Sequence, residues 1–146
     1  MTREELVALS EQGIAAWNAH DPQAVAALYT EDARVRDSGG DEVTGRDGVA
    51  ARVSQFVTAF PDLHVERVSM CAEGNMICEE WRVTGTHDGE LMGIPATHRH
   101  TENLGCSVME FGDDGLATRE TAYWDLAKML QDLGVMPAAG AEAAHA

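Results

Sequence analysis

The chain has 146 residues, 45% hydrophobic and only 5% aromatic, enough to bury one core, and its length predicts a single compact domain. Its 25 acidic side chains outnumber 10 basic ones for a formal charge of −15, a field that repels phosphate backbones and anionic membranes and argues against nucleic-acid partners. No apolar run approaches the roughly 20 residues of a membrane span, and three cysteines, Cys71, Cys78 and Cys106, an odd number with no C-x-x-C pair and no apolar leader, read as those of a reduced, cytoplasmic protein.

From the N-terminus, Thr2 and Glu5 form a capping box that opens a helix with Leu6, Leu9, Gly13, Ile14 and Trp17 on one stripe, ending near His20. Asp21 is a good N-cap and Pro22 a good first-turn residue for a second, short helix bearing Val25, Leu28 and Tyr29. A short strand is expected from Ala33 to Asp37, then a turn-rich loop from Ser38 to Gly45. A third helix carries Val49, Val53, Phe56, Val57 and Phe60 and is stopped by Pro61.

Beyond Pro61 the period changes from helical to alternating, with strands expected near 63–72, 76–87, 98–111 and 116–125. Glu73-Gly74-Asn75 and Gly112-Asp113-Asp114-Gly115 are hairpin-type connections, so the sheet is expected to be mostly antiparallel. On the last strand, Arg119, Thr121, Tyr123 and Asp125 share one side, while Glu120, Ala122 and Trp124 share the other. The polar row is either the wall of a pocket or the solvated face of the sheet. A last helix bears Leu126, Met129, Leu130 and Leu133 and stops at Gly134. Residues 1–135 form the expected domain, and 136–146 an Ala-rich, disordered tail.

Helices followed by a meander of strands predict an α+β domain in which a strongly curved sheet wraps over the N-terminal helices. The order of elements resembles that of the SnoaL-like polyketide cyclases, of the nuclear-transport-factor-type superfamily. So do the segments Trp81-Arg82-Val83-Thr84-Gly85-Thr86-His87-Asp88-Gly89 and Met92-Gly93-Ile94-Pro95-Ala96-Thr97, and the ending Tyr123-Trp124-Asp125 with Leu133-Gly134. The resemblance covers roughly residues 3–135. It implies a cone-shaped cavity and a cofactor-free acid or base at a strand end, at the position of Asp125. Limonene-epoxide-hydrolase-like relatives carry an Arg-x-Asp of which this chain keeps Arg82 but has Thr84 in place of the acid. His98 stands where the cyclase pattern has glycine, so an imidazole is expected near the cavity.

The implied chemistry is aldol-type ring closure on a polyketide-like intermediate, which needs a proton moved and no metal or cofactor. The expected catalytic set is Asp125 as base, with Tyr123, Arg82 and His98 in support. Trp17, Tyr29, Asp37, Phe56, Phe60 and His87 are the expected substrate-binding residues. Plainer roles stand beside these: Asp125 as N-cap of the last helix, Arg82 in a cross-strand ion pair with Glu80 or Glu120, Asp37 as a loop cap, and the aromatic residues as core. His87, His98 and His100 are expected to be surface or supporting groups rather than a metal site. A related hydroxylase, isomerase or epoxide hydrolase, or a non-catalytic binding protein, are the alternatives. A homodimer through the outer sheet face is expected from the apolar residues on both strand faces.

Overall fold

Local chemistry sets where each helix begins. In the computed structural model, which describes residues 1–138 and Gly140, helix α1 spans Arg3–Asn18 behind the Thr2/Glu5 capping box, with both reciprocal hydrogen bonds in place. Asp21 caps α2, Pro22–Ala26, by accepting from the backbone of Gln23 and Ala24. Helix α3 covers Gly45–Ala59 and ends ahead of Pro61, and α4 covers Leu126–Asp132 and ends ahead of Gly134, which takes a positive φ.

The strands are β1, Tyr29–Asp37; β2, Val43–Thr44; β3, His64–Glu73; β4, Met76–Thr86; β5, His100–Phe111; and β6, Ala117–Trp124. They form one curved, unclosed sheet in the order β2-β1-β6-β5-β4-β3. The three long hairpin pairs are antiparallel as expected, but β1 lies parallel to β6, so the sheet is mixed. β1 also starts at Tyr29 rather than Ala33. Tyr29 is paired with Ala117, and the bulge between Tyr29 and Arg34 hides the alternation that marks a strand in sequence. The expected tail lies mostly outside the described residues.

Two buried clusters fill the space between sheet and helices. One gathers Leu6, Val25, Tyr29, Val35, Val49, Val53, Ile77 and Phe111. The other gathers Phe60, Leu63, Leu91, Met129 and Leu133 under α4. Cross-strand partners share a face of the sheet, so the pairings Met109↔Glu120, Ser107↔Ala122 and Gly105↔Trp124 put Glu120, Ala122 and Trp124 on the inner face. Gly105 is needed there: a Cβ would lie 2.3 Å from the Trp81 ring packed across it.

Candidate active site

The concave face of the sheet and helices α1 and α3 enclose a cavity of about 220 Å³. Its walls are mostly apolar and aromatic, with Trp17, Phe56, Phe60, Trp81 and Trp124 among them. Phe56 meets Trp124 edge to face, with ring centroids 6.3 Å apart. Such walls exclude water and strengthen any charge interaction inside.

Three carboxyl groups interrupt the apolar lining, those of Glu120, Glu79 and Asp37. Glu120, on β6, accepts from the Tyr29 hydroxyl at 2.6 Å and also from the Ser107 hydroxyl. Ser107 in turn accepts from Trp81 Nε1 at 3.0 Å. Glu79, on β4, is buried and accepts from the Ser10 hydroxyl of α1, which itself accepts from Arg67 Nη1 at 3.0 Å.

Burial pushes the Glu120 carboxyl above the usual carboxylate range against the pull of its two donors, and the negative charges of Glu79 and Asp37 add to the push. Glu79 is also raised, chiefly by burial, with Ser10 and Arg67 opposing. Tyr29 is held well above its ordinary value, by burial first and then by Glu120, so its hydroxyl stays a donor. A third acid, Asp37, lines the cavity at the end of β1. One of its oxygens pairs with Arg52 of α3 and the other accepts from the Gly39 backbone at 2.7 Å, so its loop-cap role coexists with its place in the wall.

Of the expected binding residues, Trp17, Tyr29, Asp37, Phe56 and Phe60 line this cavity. His87 does not. It is fully buried behind Phe60, ring centroids 5.5 Å apart, and its Nδ1 accepts from the Thr97 backbone at 3.2 Å. Burial holds its imidazole below the usual range.

The expected catalytic set is turned away from the cavity. The polar row of β6 is the outer one: Tyr123 is 57% exposed, and it is Trp124 that lines the cavity. The reason is the β5–β6 register, which sets the parity of the whole strand. Asp125 lies past the strand end, where its side chain caps α4 by accepting from Lys128 N at 2.9 Å. Its backbone is gripped by Asn103, which donates to its carbonyl at 2.8 Å and accepts from its N–H at 3.1 Å.

Arg82 lies on the outer face in ion pairs with Glu102 at 2.9 Å and Glu66 at 3.7 Å, neither of which is the partner expected from sequence. His98 precedes β5 instead of lying in it. A positive φ turns its largely exposed ring to Asp88, 2.9 Å away. Among the described residues, no three His, Cys, Asp or Glu side chains converge as a metal cage would require.

Glu79 and Glu120 were missed, yet the sequence carries their signal. Glu79 has the same parity as Ile77, Trp81 and Val83, and Glu120 the same parity as Ala122 and Trp124. A lone acid in an apolar row is costly to bury and therefore marks a site.

A family model described as SnoaL-like polyketide cyclase matches residues 8–133, most of the chain. The chain belongs to the SnoaL-like polyketide cyclase family. Its fold matches that of AclR from Streptomyces galilaeus, described as a candidate hydroxylase, with TM-score 0.82 and 26% identity over 94% of this chain and 89% of that one. IdmH from Streptomyces antibioticus, described as a candidate polyketide cyclase, matches with TM-score 0.72 and 25% identity over 88% and 98% of the two chains. A protein from Catenulispora acidiphila described as having a ketosteroid isomerase-like fold matches with TM-score 0.73 and 20% identity over 94% and 96% of the two chains. No individually curated protein matches the chain. Within the SnoaL-like family, this member thus has a glutamate facing its cavity from the last strand, and an aspartate at the strand end that serves as a helix cap.

Proposed function

We propose that this SnoaL-like protein catalyses cofactor-independent acid–base chemistry of the aldol type on a polyketide-like small molecule, with Glu120 as the group that takes and returns the proton. The observation that carries the reading is the pair of carboxyl groups with raised pKa, Glu120 and Glu79, in one apolar cavity. A raised carboxyl lies closer to neutral pH, where a general acid–base group works best. In this reading the Glu120 carboxylate removes a proton from a carbon between two carbonyls. The Tyr29 hydroxyl, 2.6 Å from Glu120, shifts its hydrogen bond to the enolate oxygen that develops.

The carbanion closes on a second carbonyl of the same molecule, and the protonated Glu120 returns its proton to the new alkoxide. Glu79 acts at a distance, its negative charge keeping the Glu120 pKa high. Trp17, Phe56, Phe60 and Trp124 hold the ligand folded so that the reacting carbons meet. A homodimer is part of the proposal, supported by Val68, Leu104 and Tyr123, exposed on or beside the convex side of the sheet.

Hydrogen exchange tests the proton step without presuming the net product. A polycyclic aromatic β-keto ester is incubated with the protein in D₂O, and deuterium uptake at the carbon between the carbonyls is followed by NMR. Acceleration over buffer that is lost in Glu120→Gln is expected. Binding of the same molecule without acceleration would leave a carrier, not an enzyme.

A further inference from the structure

The cysteines take no part in the cavity, yet the fold gathers all three on the outer side of β3, β4 and β5. Cys71 stands directly opposite Cys78 in the β3–β4 register. Cys78 and Cys106 lie diagonally across β4 and β5, one residue either side of the inward-facing pair Glu79↔Ser107. Their sulfurs are 3.2 Å apart, in direct contact, while all three thiols are free.

We propose that Cys78 and Cys106 form a redox modification site, a dithiol that a peroxide oxidises to a disulfide joining β4 to β5 behind the cavity. Three features carry the assignment. In the single chain each thiol is partly exposed on the outer sheet face, so a small oxidant reaches it there, and a second copy seated on that face would slow the reaction. The sulfurs need to approach by only about 1 Å to reach a bond length near 2 Å. And the two sulfurs are crowded together: burial first, then the neighbouring Cys78 sulfur, push the Cys106 thiol up to about 11.

The chemistry balances with the peroxide as the only oxidant. One of the two sulfurs attacks an oxygen of hydrogen peroxide, the O–O bond breaks, and that cysteine becomes a sulfenic acid while its thiol proton leaves with the departing hydroxide as one water. The other sulfur, in contact with it, then attacks the sulfenic sulfur, its proton leaves with the hydroxyl as a second water, and the S–S bond between Cys78 and Cys106 forms. A diagonal cross-strand pair lies beyond the usual disulfide separation, so closing the bridge draws β4 and β5 together locally and leaves it strained, which makes it readily reduced by a dithiol. Because Glu79 and Ser107 alternate with the cysteines on the same strands, the bridge closes directly at their backs.

The purified full chain is treated with hydrogen peroxide, its thiols are titrated, and peptides are mapped after alkylation. The expected result is three titratable thiols before treatment and one afterwards, on Cys71. A linked Cys78–Cys106 peptide lighter by two hydrogens should appear and be reversed by dithiothreitol, and Cys71→Ser should form the same bridge. Retention of all three thiols, oxidation of Cys78 to the sulfinic acid without a bridge, a Cys71–Cys78 link, or a disulfide between two copies of the chain would each overturn the proposal.

Discussion

At the scale of residues, Asp125 and Glu120 lie five positions apart and divide two tasks that sequence alone assigns to one side chain. Asp125 meets the backbone N–H of Lys128 and caps α4, while Glu120 faces the cavity with Tyr29 and Ser107 as donors. Replacing Asp125 with Ala should therefore cost about 0.5–2 kcal/mol of stability, as cap removal does, and leave the exchange rate of a bound β-keto ester unchanged. Urea denaturation and the NMR exchange assay check the two halves independently. Tyr29→Phe removes the donor without removing the base, so it should lower the exchange rate less than Glu120→Gln does, while the retained ring still fills its place in the core.

The elements carry the pH dependence, because β4 and β6 each bring one acid to the inner face. Glu79 and Glu120 both hold protons to higher pH in the folded chain than in the unfolded one, where the ordinary value is 4.5. The folded state thus binds more protons, and these groups contribute stability below that value which is lost as pH rises through their raised values. Glu79→Gln and Glu120→Gln should each flatten the fall in stability as pH rises above 4.5, read from urea midpoints. A steeper fall in either variant would contradict the burial of these carboxyls.

Most elements were legible in the sequence because caps and stops are local: Thr2 with Glu5, Asp21 with Pro22, and Pro61 each fix a helix boundary through neighbouring backbone groups. The face of β6 was not legible. Its parity depends on pairing with β5, and the two rows, Arg-Thr-Tyr-Asp and Glu-Ala-Trp, satisfy either orientation until Met109 and Ser107 are placed opposite Glu120 and Ala122. Parallel pairing of β1 with β6 was hidden for the same reason, since it joins segments far apart in the chain. The aromatic wall was found because Trp17, Phe56 and Phe60 fall on helical stripes that face inward wherever the sheet lies.

At the scale of the whole molecule, the inner face of the sheet has a cavity to line and the outer face has exposed apolar residues without a partner in one chain. Static light scattering at micromolar concentration should give about twice the 15.7 kDa of one chain; a mass of one chain would remove the dimer from the account. The acid in the cavity is the central claim, and parallel assays of Glu120→Gln and Asp125→Asn on the same polycyclic β-keto ester test it most directly. Asparagine retains a capping oxygen and glutamine retains the shape of Glu120, so both variants should fold and only the titrating group is compared. Turnover should fall by about 10²–10⁴ in Glu120→Gln and stay at the wild-type rate in Asp125→Asn. Loss of activity in Asp125→Asn with full activity in Glu120→Gln would place the proton transfer at the strand end and contradict the account.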